Sequence, residues 1–83
     1  MTIILDAECM QSRKEAHTYL QEKMNFPSYY GKNLDALYDC LTEVVDTEIQ
    51  IENTEQAEMY YEKVQNVFLK AAEVNPGLTL VIK

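Results

Sequence analysis

The chain has 83 residues, 14 acidic against 7 basic, and a net charge of −7. That length allows one domain with one modest core, and the apolar fraction of 47% is enough to fill it. The charge argues against direct contact with nucleic acid, which requires clustered Lys and Arg, and favours a basic partner, although an acidic surface also serves solubility.

No apolar run approaches the roughly 18 residues of a membrane span, and MTIILDAECM lacks the basic start and long apolar stretch of a leader. A cytoplasmic location is therefore expected, with no membrane association. Cys9 and Cys40 make no disulfide framework and read as free thiols, Cys40 packed and inert. No His or further Cys stands at metal-ligand spacing, so neither a metal nor a cofactor is expected.

In chain order, Thr2 to Asp6 reads as a strand that ends where charge begins. Ser12 and Glu15 have the spacing of a capping box, opening a helix with Ala16, Tyr19, Leu20 and Met24 on one side. It runs to about Lys23 or Met24, with Asn25 as its stop. His17, the single histidine, lies near this stripe. It has no partner of catalytic type nearby in sequence and reads as a hydrogen-bonded structural residue.

The stretch from Phe26 to Val45 dominates the reading. Pro27 fixes its own φ and keeps Phe26 out of the helical region, and Gly31 suits a positive φ. Asn33 stands at a helix N-cap. Leu34, Leu37, Tyr38, Leu41, Val44 and Val45 then form one apolar stripe, while Asp35, Asp39 and Glu43 recur every fourth residue on another side. Like charges so spaced repel by about 0.2–0.5 kcal/mol per pair, and no basic residue sits four places from Asp39 or Glu43. Only Asp35 is close enough to the N-terminus to gain from the helix dipole. Solvation and function both explain such a face, and spacing alone favours solvation.

Glu48 to Glu52 alternates polar and apolar as a strand with one wet face. From about Glu55 to Val74, Ala57, Tyr60, Tyr61, Val64, Val67, Phe68, Ala71 and Ala72 fit one helix, capped by Asn53 or Thr54. Asn75-Pro76-Gly77 ends it, and Leu78 to Lys83 forms a third strand. Strands separated by helices pair in parallel, and right-handed crossovers place the helices on one face. The expected fold is α/β: a three-stranded parallel sheet in order 1-2-3 covered by helices on one side, as a single domain over 1–83.

No nucleophile, oxyanion donor set or split pair of carboxylate environments is visible, so an enzyme is not expected. One helical Asp-x-x-x-Asp also offers too few oxygens for a cation.

The run FPSYYGKNLDALYDCLTE resembles the signature of the barstar family, small intracellular inhibitors of bacterial ribonucleases. The likeness extends back through His17 to the first strand and forward to LTLVIK. It implies a two-layer barstar-like fold and a basic ribonuclease as partner, in a 1:1 complex, with the free protein a monomer. It further implies that Asp39 enters the nuclease's phosphate pocket as a phosphate substitute, with Asp35 beside it. Tyr29 would pack on a catalytic histidine of the target, and Gly31 and Asn33 would complete the contact. Tyr38 and Thr42 would lie at its edge, and Tyr30 and Leu34 would support the loop from behind.

Departures from the family are specific. Tyr38 replaces a common Trp, and Glu43-Val44 replaces a Gly-Trp pair, so Glu43 either adds an acidic contact or crowds it. Lys70 stands where the family has an acidic contact residue. The family has two helices where 55–74 reads as one, the alternative being a break near Lys63 to Asn66. The alternative function keeps the acidic surface and changes the target to a non-ribonuclease toxin or a nucleic-acid-binding protein.

Overall fold

The computed structural model describes residues 1–57 and 59–83. In chain order they form β1 (Thr2–Asp6), α1 (Arg13–Lys23), α2 (Leu34–Leu41), β2 (Thr47–Glu52), α3 (Tyr60–Val74) and β3 (Leu78–Ile82). Short 3₁₀ turns follow β1 at Ala7–Cys9 and β2 at Thr54–Gln56.

The strands pair in parallel in the order β1-β2-β3. Their register aligns Ile3 with Ile49 and Leu80, and Leu5 with Ile51 and Ile82. These residues share the helix-covered face, because side chains alternate along a strand. Thr47, Ile49 and Ile51 are buried, whereas Glu48, Gln50 and Glu52 on the opposite face are half-buried. On that outer face Gln50 donates to Glu48 at 2.6 Å and accepts from the Lys83 Nζ at 3.1 Å. The two-layer α/β arrangement matches the sequence expectation.

One core joins the layers. Leu5, Ile49 and Ile51 from the sheet meet Ala16 and Leu20 of α1, Leu37 and Leu41 of α2, and Tyr61, Val64, Phe68 and Ala71 of α3. Burying a Leu, Ile or Phe side chain contributes about 1.5–3 kcal/mol each. The ordering of the helices therefore rests on this cluster rather than on their own short hydrogen-bond ladders.

Helix α1 starts where Ser12 Oγ accepts from the Glu15 amide at 3.3 Å. It ends as expected: Asn25 takes φ 56, a left-handed conformation that Asn tolerates after a helix.

Two helices depart from the sequence reading. The apolar stripe suggested that α2 continues to Val45, but α2 stops at Leu41. The Glu43 amide makes a tighter bond to the Cys40 carbonyl at 3.2 Å, and Asn75 caps the end from across the fold. Its Nδ2 donates to the carbonyls of Leu41 and Val44, both at 2.9 Å. A side chain 34 residues away in sequence thus terminates α2, a stop that local spacing does not encode.

The helix expected from Glu55 begins at Tyr60 instead, and residue 58 of that stretch lies outside the described residues. Asn53 has φ 62 and makes no capping bond; its Nδ2 donates to Asp6 Oδ1 at 3.1 Å. Thr54 is also diverted, its hydroxyl donating to the Lys83 carbonyl. From Tyr60 to Val74 the helix is continuous.

Candidate functional site

The stretch from Phe26 to Asn33 is held by bonds made by its own backbone and by α1. The Tyr30 amide donates to the Pro27 carbonyl at 2.9 Å, and Gln21 Nε2 donates to the same oxygen at 3.0 Å. Asn33 caps α2 as expected: its backbone is extended and its Oδ1 accepts from the Ala36 amide at 2.7 Å. Its Nδ2 donates to the Gly31 carbonyl at 3.2 Å. The acceptor and one donor are therefore used within the chain, which leaves Asn33 one amide N–H for a partner.

Gly31 does not use a positive φ; Lys32, at φ 52, makes the left-handed turn. What glycine offers here is close approach. A Cβ at Gly31 would stand 3.2 Å from both the Ala36 Cβ and the Asn33 Nδ2.

The adjacent tyrosines point to opposite environments. Tyr29 is 86% exposed, whereas Tyr30 is buried, its ring centroid 4.8 Å from that of Phe26. The Tyr30 hydroxyl lies 2.7 Å from His17 Nδ1, and the Tyr60 hydroxyl lies 2.7 Å from His17 Nε2. One ring nitrogen donates and the other accepts. Burial, reinforced by the nearby Arg13 guanidinium, holds the His17 pKa below its ordinary value of 6.5, so the ring stays neutral. Burial likewise pushes the Tyr30 and Tyr60 phenols up. His17 is the structural histidine anticipated from its place beside the apolar stripe.

Between the loop and α2 runs an open groove of about 410 Å³. Phe26, Pro27, Tyr29 and Gly31 form one side, and Ala36, Asp39, Cys40 and Glu43 the other. Of the residues singled out in the sequence, the groove brings together Tyr29, Gly31, Asp39 and Glu43. Asn33 and Asp35 lie at the start of α2, Thr42 at its end, and Tyr38 is half-buried against the core. The Thr42 hydroxyl donates to the Asp39 carbonyl at 2.8 Å.

Asp35, Asp39 and Glu43 are all exposed. Glu43, however, sits in the turn after α2 rather than on it, so only Asp35 and Asp39 share the helix. No Lys or Arg among the described residues pairs with Asp39.

Sequence reasoning overlooked Cys40 as a groove residue. Its thiol is free and half-buried, and its pKa is raised by burial and by the nearby Glu43 and Asp39, which keeps it protonated. The signal was available, since Cys40 lies four residues beyond Ala36 and so shares its helix side. It also overlooked both partners of His17, Tyr30 and, from α3, Tyr60. The Tyr60 contact joins residues 43 apart and has no local signature.

Among the described residues no group of three or more His, Cys, Asp or Glu could hold a metal ion. No helix of the described residues is long and apolar enough to cross a membrane. The arrangement is a preformed anionic surface: an unpaired carboxylate on a short, doubly capped helix, with an exposed aromatic across an open groove.

The fold is thus a two-layer α/β one with an exposed acidic helix beside an open groove. The family profile described as "Barstar (barnase inhibitor)" matches residues 1–80. The chain belongs to the barstar family. It is also 50% identical over 44 residues to a protein of Bacillus subtilis (strain 168) named "Putative ribonuclease inhibitor YrdF". That match covers 53% of this chain and 48% of the relative, so it spans about half of each.

Proposed function

We propose that this protein inhibits a basic bacterial ribonuclease by covering its active site with α2 and the preceding loop. Membership of a family described as barnase inhibitors supports ribonuclease inhibition as the general activity. The observation that carries the mechanism is Asp39: exposed, unpaired among the described residues, and fixed on a capped helix at the edge of the groove. A site built to bind RNA phosphate surrounds an anionic vacancy with Arg, Lys or His. A carboxylate already ordered by folding fills it without a further ordering cost on association.

In this reading Asp39 is the phosphate substitute and Asp35 adds charge one turn away. Tyr29 supplies an exposed ring to stack on the target, and Gly31 and Asn33 offer backbone and one amide donor. Tyr38, Thr42 and Glu43 lie at the margin. The complex is 1:1, the free protein is a monomer, and no catalysis belongs to this chain. It acts in the cytoplasm, where nuclease not yet exported would damage the cell's own RNA.

The test is an RNA-cleavage assay on a panel of secreted bacterial ribonucleases, barnase among them. Wild-type protein should inhibit at least one stoichiometrically, and Asp39→Asn should relieve that inhibition. Equal inhibition by Asp39→Asn, or none by the wild type, would overturn the reading.

A further inference from the structure

Of the 7 basic residues, three line a single cleft of about 410 Å³ beside the contact loop: Arg13, Lys14 and Lys32. His17 and Thr18 complete its wall, and among the described residues no carboxylate borders it. Glu15 and Glu22 border a separate depression, which Lys14 also reaches. Arg13 and Lys14 occupy the first turn of α1, where the helix dipole is positive and disfavours cations. Among the described residues, no acidic side chain pairs with any of the three. Lys32 also has φ 52, a conformation that costs a residue with a Cβ about 1 kcal/mol or more. A chain of net charge −7 thus concentrates like charge where no described acidic side chain pairs with it. The wall histidine does not explain the cluster, because both of its ring nitrogens are already bonded to tyrosines.

Lys32 lies between Gly31 and Asn33, two residues of the proposed contact. Neighbouring Cα atoms are only about 3.8 Å apart. A ribonuclease seated on Gly31 and Asn33 therefore comes within reach of the Lys32 ammonium. We propose that this cleft receives an Asp or Glu carboxylate on the rim of the ribonuclease's otherwise basic active site. The inference rests on the ribonuclease-inhibitor reading and deepens it. The interface then carries both signs, anionic at Asp35 and Asp39 and cationic at Lys32, Arg13 and Lys14. Such a pattern fixes the docking orientation and rejects nucleases whose rims are basic throughout, since like charges brought together lower affinity. Nucleic-acid phosphate is the other anion that three cations attract. A chain of this net charge repels a polyanion, whereas a rim carboxylate is delivered to the cleft by docking at Asp39.

The probe is the ribonuclease inhibited in the assay above, with association followed by stopped-flow at low and high salt. Lys32→Glu and the double change Arg13→Glu with Lys14→Glu should each slow association about tenfold at low salt, and the difference should shrink as salt screens it. Glutamate suits the first turn of a helix, so the double variant should fold, as an unchanged circular dichroism spectrum will verify. Replacing the rim carboxylate of the ribonuclease by Lys should slow the wild type and restore Lys32→Glu. If Lys32→Glu associates as fast as wild type while Asp39→Asn loses inhibition, the cleft assignment falls and the inhibitor reading stands. If Asp39→Asn inhibits normally, or no ribonuclease is inhibited, both fall. Lys32-dependent binding of an RNA oligonucleotide by the free protein would also overturn the carboxylate assignment.

Discussion

The His17 imidazole stands behind Tyr30, its Nδ1 2.7 Å from the phenol oxygen, and so ties α1 to the inner side of the loop that precedes α2. Both groups are buried, so neither finds water if the other is removed. Tyr30→Phe should cost about 1–3 kcal/mol, the penalty for leaving one buried polar group unmatched. Tyr29→Ala should do the reverse. That ring is 86% exposed, so stability should stay within about 0.5 kcal/mol while inhibition weakens. Urea unfolding of both variants, beside the cleavage assay, separates the two roles. Equal stability losses would contradict the assignment of one ring to the core and one to the target.

The same histidine sets a pH dependence. Its folded pKa is lowered from 6.5 by burial and by Arg13, whereas the unfolded chain titrates normally. Between the two values the unfolded state binds more protons, so stability rises with pH. The contribution is complete above 6.5 and is lost as pH falls through the folded value. The unfolding free energy should be level above neutrality and decline from about pH 6.5 downward, before most carboxylates begin to titrate near 4. His17→Gln, less stable overall, should lose that slope. A slope retained in the variant would place its origin elsewhere.

Tyr61 offers the opposite case to Tyr30. It is 2% exposed, its hydroxyl has no hydrogen-bond partner among the described residues, and burial pushes its pKa up to about 12. Removing an unmatched buried hydroxyl while keeping the ring is close to neutral or stabilising. Tyr61→Phe should therefore leave stability unchanged or raise it by up to about 1 kcal/mol in urea unfolding. A loss of about 1 kcal/mol or more would show that the hydroxyl is bonded after all.

What the sequence displayed was local. The alternation at Glu48–Glu52, the N-cap at Asn33 and the capping Ser12 each depend on residues within four positions, and each stands where spacing put it. The core stripe of α3 was legible for the same reason, from Tyr61 to Ala71. Long-range partners were not. Asn75 stops α2 from the far end of α3, and Thr54 is drawn from capping to the end of β3. Lys32, rather than Gly31, takes the left-handed turn, and Gly31 stands where a Cβ would crowd Ala36 and Asn33. At the site, sequence distinguished Asp39 as a mid-helix acid. It did not reveal that Tyr29 and Asp39 line one groove, a relation set by the tertiary fold.

That clamp on α2 is open to test. Asn75 Nδ2 holds the carbonyls of Leu41 and Val44, and its Oδ1 accepts from the Gly77 amide at 2.9 Å. Gly77 lies so close to the end of α2 that a Cβ there would stand 2.9 Å from the Val44 carbonyl oxygen. Asn75→Ala should cost about 2 kcal/mol, from the loss of a cap with several bonds. Asn75→Asp should cost more, because a carboxylate donates to neither carbonyl. Gly77→Ala should also destabilise, since backbone must move to admit the methyl group. All three should weaken inhibition by loosening Glu43 and the end of α2. Hydrogen exchange faster at Leu41 and Thr42 than in α3 would localise the effect, whereas unchanged exchange there would exclude it.

Asp39 is where stability and binding should oppose each other. Aspartate is a poor mid-helix residue, less favourable than Ala by up to about 0.7 kcal/mol. Asp35 lies four residues away on the same helix, and repulsion between them adds about 0.2–0.5 kcal/mol. No basic side chain of the described residues offsets either cost. Asp39→Ala should accordingly raise the unfolding free energy by about 0.5–1 kcal/mol while relieving ribonuclease inhibition. Asp35→Ala should gain less, because that carboxylate favours the N-terminal end of the helix dipole. Calorimetry of the free variants and the cleavage assay read the two effects independently. If Asp39→Ala proves less stable than wild type, the carboxylate supports the fold, and the reason for assigning it to a partner is lost.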